Sequence, residues 1–399
     1  MKIKILVITA ILALFIQQTG FAQREPYAVN FIKSGIEYYN KKDYDKAIKC
    51  FIVAKTSFEE NREQAHPLYL STIDILAKIY FDADDYANAE PYYLESKAIK
   101  EKVFGKEHPS YMDIIIRLTQ TYTFLEDYEK AIKYALEIKT LQEKTLGKEN
   151  PIYAETLDSL GMLYANIKNY DNTIQYYLEA LNIREKALGK NNPDYIETLE
   201  KLGRLYLSLD DYANAERYFL ELKTIQENQF GKNHKYYASN INNLGVVYLK
   251  TGDYVKAERC FAEAKTITQK KGKMDPDYIA ALNNLGALYS LMGNYKKSES
   301  CYLELKSTYE KMYGKNHPDY AVKLFDLGVL YSYMGNSSKT EKYFSEAKAV
   351  FEKLLGKENP SYITLLEQIG EIFNKMGNNT KAEQYLLEAK TIREQTRSN

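Results

Sequence analysis

Short apolar stripes at helical spacing run in pairs along the chain, separated by polar turns. The stretch from Asn192 to Lys232 displays the pattern plainly. Leu199, Leu202, Leu205 and Tyr206 recur three or four positions apart or side by side, which puts them on one face of a helix. Pro193 suits a first helical position, where φ is preset and the missing N–H is no loss, and Asn192 before it is a good cap. Asp210-Asp211 make a turn, after which Tyr212, Ala215, Phe219 and Leu222 form a second stripe. Gly231 offers the left-handed conformation that ends a helix. The pattern predicts a helical hairpin and no strand. Gly203 and Ala215 keep the expected helix crossing close, so a large side chain at either should overpack it by about 1–3 kcal/mol.

The same grammar returns every 42 residues, with one step of 41. The small residue of the first helix falls at Gly35, Ala77, Thr119, Gly161, Gly203, Gly245, Gly286, Gly328 and Gly370. A tyrosine opens the second helix from Tyr44 to Tyr295 and gives way to Ser337 and Asn379 in the last two units. A Gly-Lys pair closes that helix seven times, from Gly105 to Gly356, and the lost residue lies in the loop Gly272–Pro276. Nine units fit between about 25 and 396. Each can pack on its neighbours alone, so no central core is needed. Ser34 and Glu37, where later units are apolar, suit an end that faces water. Leu386, Leu387 and Ile392 in the last unit are expected to leave a partly exposed face.

The skeleton L-G-x-x-Y at Leu202, Gly203 and Tyr206, with A-x-x-x-F at Ala215 and Phe219, resembles the tetratricopeptide repeat. At 42 residues the unit is similar to the kinesin-light-chain type, whose longer second helix and G-K-x-[HN]-P loop it shares. The resemblance implies an all-α, right-handed superhelical α-solenoid of about nine helix-turn-helix repeats. It also implies a concave face, lined by the first helices, that binds a protein or peptide partner. The family's lining positions fall six, three and two residues before the glycine column and one, four and five after it. They assign the groove to Lys201, Arg204, Asn242, Asn243, Lys250, Asn283 and Asn284, then to the more apolar Phe325, Val329 and Tyr333. Glu155, Asp158, Glu197 and Glu200 make earlier units acidic, and Glu367 and Glu371 do so at the end. An asparagine amide both donates and accepts, so the paired asparagines could bracket an extended peptide backbone; the bland reading is a solvated helix face.

Residues 1–22 depart from the repeat. Lys2 and Lys4 precede an apolar run from Ile5 to Ile16, and Gly20-Phe21-Ala22 reads as a small-x-small cleavage site, so a secretory signal peptide is expected, followed by a solenoid over 23–399. The run is short for a membrane span of about 20 residues. Export to the periplasm or outside the cell follows. The net charge is zero, or −2 once Lys2 and Lys4 are gone, with no basic stripe to attract nucleic acid or an anionic membrane. Cys50, Cys260 and Cys301 all stand where other units carry tyrosine, which argues for packing rather than disulfides.

Chemistry is sparse. His66, His108, His234 and His317 share one loop position with Asn150, Asn192, Asp275 and Asn359, so they read as polar residues at helix starts rather than convergent ligands. Gly-Lys lacks the remainder of a phosphate-binding loop. Thirty-three of the 38 tyrosines occupy repeat positions, as packing side chains with a polar tip. The sequence therefore predicts a non-enzymatic binding scaffold, with no metal and no cofactor. A self-assembling module joined through the C-terminal repeat, or a sensor arm for a separately encoded enzyme, are the alternatives.

Overall fold

A computed structural model describes residues 26–61 and 66–398. Eighteen α-helices form nine hairpins among the described residues, and no strand appears there. In chain order these are α1 (Pro26–Asn40), α2 (Tyr44–Glu60), α3 (Pro67–Asp82), α4 (Tyr86–Phe104), α5 (Pro109–Phe124) and α6 (Tyr128–Thr145). They continue as α7 (Pro151–Asn166), α8 (Tyr170–Leu188), α9 (Pro193–Ser208), α10 (Tyr212–Phe230), α11 (Lys235–Lys250) and α12 (Tyr254–Thr268). The last are α13 (Pro276–Leu291), α14 (Tyr295–Tyr313), α15 (Pro318–Tyr333), α16 (Ser337–Leu355), α17 (Pro360–Lys375) and α18 (Asn379–Ser398). The chain divides into two compact units, one ending at Thr198 and the other beginning at Leu199. The expected signal sequence lies outside the described residues.

Both ends of each hairpin are built by local chemistry. Odd-numbered helices from α3 onward are capped by the His/Asn/Asp column: Nδ1 of His234 accepts from the Tyr236 N–H, and Oδ1 of Asn359 from the Ser361 N–H. Each of the four histidines also stacks on an aromatic ring at the end of the preceding helix: His66 on Phe58, His108 on Phe104, His234 on Phe230 and His317 on Tyr313. Where the cap is Asn150, Asn192 or Asn359, that ring is replaced by Leu146, Leu188 or Leu355. Even-numbered helices are capped by the Asp or Asn before them, such as Asp127, whose carboxylate accepts from the Lys130 N–H. The residue before this cap has a positive φ. It is Lys42, Asp84, Glu126, Lys168 or Asp210 in the first five hairpins and glycine (Gly252, Gly293, Gly335, Gly377) in the last four. The missing residue of the 41-residue step is taken up where α12 ends early, in a 3-10 turn over Gln269–Lys271.

The crossing of the two helices is as close as the small column predicts. A Cβ added at Gly203 would lie 2.7 Å from Cε1 of Phe219, and at Gly245 2.5 Å from Cε1 of Phe261. The third hairpin solves the same problem in reverse, with Thr119 in the small column and Ala135 where the others place a ring or, in the ninth, Leu386. Tyrosines fill the layer beside it. Tyr122 stacks on Tyr134 at 5.6 Å, Tyr206 on Tyr218 at 5.6 Å and Tyr331 on Tyr343 at 5.4 Å. Cys260 and Cys301 replace the second ring of this pair beside Tyr248 and Tyr289, and all three cysteines are free thiols.

Ser34 and Glu37 are exposed on α1, as the terminal position requires. On α18, Leu387 is 64% exposed and Leu386 39%. Ile392 departs from the expectation. It is buried against Tyr362, Ile363, Leu366 and Ala389, because α18 folds back on α17 along its length.

Candidate peptide-binding face

The ten candidate groove residues all lie in the second compact unit, on α9, α11, α13 and α15, and they separate into three environments. Lys250 and Tyr333 are exposed, and so is Arg204, whose Nε lies 3.0 Å from Glu200 Oε1. Lys201, Asn242, Asn243, Asn283 and Asn284 are half-buried. Phe325 and Val329 pack on the cluster of Phe344, Ile369 and Phe373, so they help to hold the last hairpins together.

Asn242 and Asn284 come together and bond to each other, and Asn283 is engaged by a lysine. Asn284 Nδ2 donates to Asn242 Oδ1 at 3.0 Å, linking α13 to α11. Asn283 Oδ1 accepts from Lys323 Nζ at 2.6 Å, and the same ammonium reaches Asp326 at 2.6 Å. The proposed brackets therefore already form a ladder between successive first helices. A peptide backbone would have to share or displace these bonds.

The acidic candidates of the first unit fare differently from one another. Glu155 is exposed, whereas Asp158 is buried and faces Arg184 at 2.5 Å. Thr198 donates to that carboxylate, and the Arg184 guanidinium also reaches the Asp194 carbonyl. An uncompensated buried carboxylate would be costly, and this pairing with a hydrogen-bonded arginine is what allows it. The arrangement repeats with substitutions. Lys100 lies 2.8 Å from Asp74, and Arg393 lies 2.8 Å from Glu367. In the eighth hairpin the corresponding pair is Phe351 with Phe325, which line an apolar cleft of about 440 Å³ with Val322, Pro360 and Leu365. The sequence signal was present: a basic residue 26 positions after an acid, or an aromatic 26 after an aromatic. Its first member stands in a chosen lining column, and its second, on the following helix, lay outside those columns.

The exposed part of the face has an aromatic edge. Tyr333 is 63% exposed and stacks on Tyr295, with Leu291, also 63% exposed, in the column that holds Lys250 and Tyr333. Leu291 was not among the expected residues, although the column predicted it.

Tyrosine–glutamate bonds tie the helices together. Tyr111 donates to Glu137 within its own hairpin at 2.7 Å, and Tyr122 to Glu90 of the preceding hairpin at 2.5 Å. Tyr278 with Glu304 and Tyr289 with Glu258 repeat the two bonds in the second unit. Burial, and then the hydrogen bond to Glu143, push the Tyr153 phenol up to about 12. Burial pushes the Cys260 thiol to about 11, far from a thiolate nucleophile at neutral pH. Among the described residues no group of His, Cys, Asp and Glu is gathered as a metal site requires, and no helix is long and apolar enough to cross a membrane.

Nine capped hairpins in 42-residue register have a counterpart among known families. A tetratricopeptide repeat model matches residues 69–144, 153–222, 208–270 and 277–344, and a second tetratricopeptide repeat model matches 363–396. The chain belongs to the tetratricopeptide repeat family. Its fold is accordingly the all-α superhelical solenoid of these repeats, of the kinesin-light-chain-like type that the 42-residue period indicates. No curated protein matches the sequence. Among solved structures, the apo form of RapI is 14% identical, with a TM-score of 0.59 over 93% of this chain and 99% of that one. The apo form of the quorum sensor NprR from B. thuringiensis is 12% identical, with a TM-score of 0.54 over 91% of this chain and 98% of that one. A kinesin light chain with tetratricopeptide-like repeats from Podosopora anserina is 20% identical, with a TM-score of 0.46 over 52% and 99%. At these identities the likeness is one of fold.

Proposed function

We propose that this tetratricopeptide protein is an exported, non-enzymatic scaffold that binds a protein or peptide along the first helices of its second unit. The observation that carries the reading is the edge of Lys250, Leu291, Tyr295 and Tyr333. It combines large exposed apolar side chains with a cation, and α11 and α13 of this edge also carry the half-buried Asn242–Asn284 pair. Exposed aromatic anchors next to polar groups are what a peptide-binding surface requires. The same fold serves a quorum sensor, a role for which binding is the central event. Export rests on residues 1–22 and is tested by N-terminal sequencing of secreted material, which should begin at Gln23.

The binding test is capture from an envelope fraction, identification by mass spectrometry, and titration against a Leu291→Ala/Tyr333→Ala variant. Loss of about tenfold or more in affinity at unchanged melting temperature is expected, since both side chains are exposed. Unchanged affinity would move the partner off this face. A second reading, self-association, is favoured by Leu387, 64% exposed on α18. Light scattering of wild type and Leu387→Glu distinguishes it.

A further inference from the structure

Away from the edge just described, the second unit contains a polar cavity that packing does not explain. It measures about 250 Å³ and is lined by Glu200 of α9, Leu222 and Gln226 of α10, and Lys235, Tyr236, Ser239 and Asn240 of α11, with Asp277 of α13. Gln226 and Asn240 are 3% and 2% exposed. Asn240 Nδ2 donates to the Phe219 carbonyl at 2.9 Å, which fixes the amide and leaves Oδ1 as its other end. That oxygen and Gln226 Oε1 are both buried without a hydrogen-bond partner. A buried acceptor left unpaired is destabilising, and two such acceptors belong to residues that line one cavity.

The surroundings specify the donor. The helix starts that face the cavity are already capped, by His234 and Asp275, so they do not call for an anion. Glu200 and Asp277 add two carboxylates, the first already paired with Arg204 at 3.0 Å, beside the ammonium of Lys235, which rests over the Tyr236 ring at 5.0 Å. Burial and then Asp275 raise the Asp277 carboxyl, with Lys271 and Lys235 opposing, so a further cation would stabilise its charged form. Two amide oxygens, two carboxylates and an aromatic ring match a flat, donor-only cation.

We infer that this cavity receives the guanidinium of an arginine side chain carried by the bound peptide. The inference rests on the proposed binding function and names the residue type that the peptide presents. The guanidinium enters between α10 and α11, its N–H groups directed to Gln226 and Asn240, with Asp277 and Glu200 at its flanks. A neutral isostere offers fewer donors and no charge.

The test uses the full mature chain and calorimetric titration with blocked arginine (Nα-acetyl-arginine methylamide), blocked citrulline, blocked lysine and free L-arginine. Blocked arginine should bind at least about tenfold tighter than citrulline, the difference of one charge-assisted hydrogen bond. Asp277→Asn and Gln226→Met should each remove about tenfold. Gln226→Met should leave the melting temperature unchanged or higher, because it deletes an unpaired buried oxygen. Equal binding of arginine and citrulline, preference for lysine, no binding, or indifference to both variants overturns the inference. Free arginine binding far tighter than the blocked form overturns the peptide as source. A captured partner that loses affinity with Leu291→Ala/Tyr333→Ala but not with Asp277→Asn removes only the cavity assignment. Indifference to the edge variant removes the broader reading instead.

Discussion

At Gly203 the Cβ of any other residue would meet the Phe219 ring, and the third hairpin records how the chain escapes that constraint. There Thr119 and Ala135 exchange volume across the same crossing. Gly203→Thr alone should therefore destabilise by about 1–3 kcal/mol, and Phe219→Ala alone by about 3–5 kcal/mol. The double variant should lose at least 1 kcal/mol less than the two together, as contacting sites do. Denaturant titration of the four proteins measures this, and simple additivity would refute the compensation. The small column, the caps and the stripes were readable in advance, because each depends on local geometry repeated nine times. Asn242 and Asn284 were not. Amides one repeat apart can bond to a peptide or to each other, and only the distance between α11 and α13 decides.

On the scale of the helix pair, the stacked tyrosines set a layer that three hairpins lack, the first among them, where Cys50 takes the place of the ring. Tyr248 and Tyr289 face Cys260 and Cys301 where Tyr122, Tyr206 and Tyr331 face a ring. Cys260→Tyr should restore the stack and stabilise by about 0.5–1.5 kcal/mol, the contribution of an aromatic pair. Thermal melting checks this; a lower melting temperature would mean that the seat has closed around the thiol. Sequence columns correctly read the cysteines as tyrosine substitutes. They did not single out the pairs Lys100–Asp74 and Arg184–Asp158, although a base stands 26 positions after an acid in each, since a charged residue on a helix face usually meets water.

For the whole molecule, tyrosine ties successive hairpins together within each unit and thereby sets a limit of pH. Tyr111, Tyr122, Tyr278 and Tyr289 are held above the ordinary phenol value, by burial first and by their glutamate partners second, and burial takes Tyr177 to about 12. These groups remain protonated in the folded state after the unfolded chain, at about 10, has ionised. Their contribution is complete below that value and is lost as pH rises from it through the folded values. An abrupt joint loss of helix and appearance of phenolate absorbance above about pH 10 is expected. Gradual ionisation at constant ellipticity would contradict it.

The histidine caps, finally, restrict how an array of this kind can change length by deletion. Loss of residues 147–188 would bring Leu146 up to Asn192 and recreate a junction the chain already uses. Loss of residues 189–230 would bring Leu188 up to His234 and take away the ring on which that imidazole rests. Both excisions remove 42 residues and keep every stripe in frame. The first should nevertheless melt higher than the second. Copy number in this gene is therefore most freely edited where two neighbouring seams carry the same spelling.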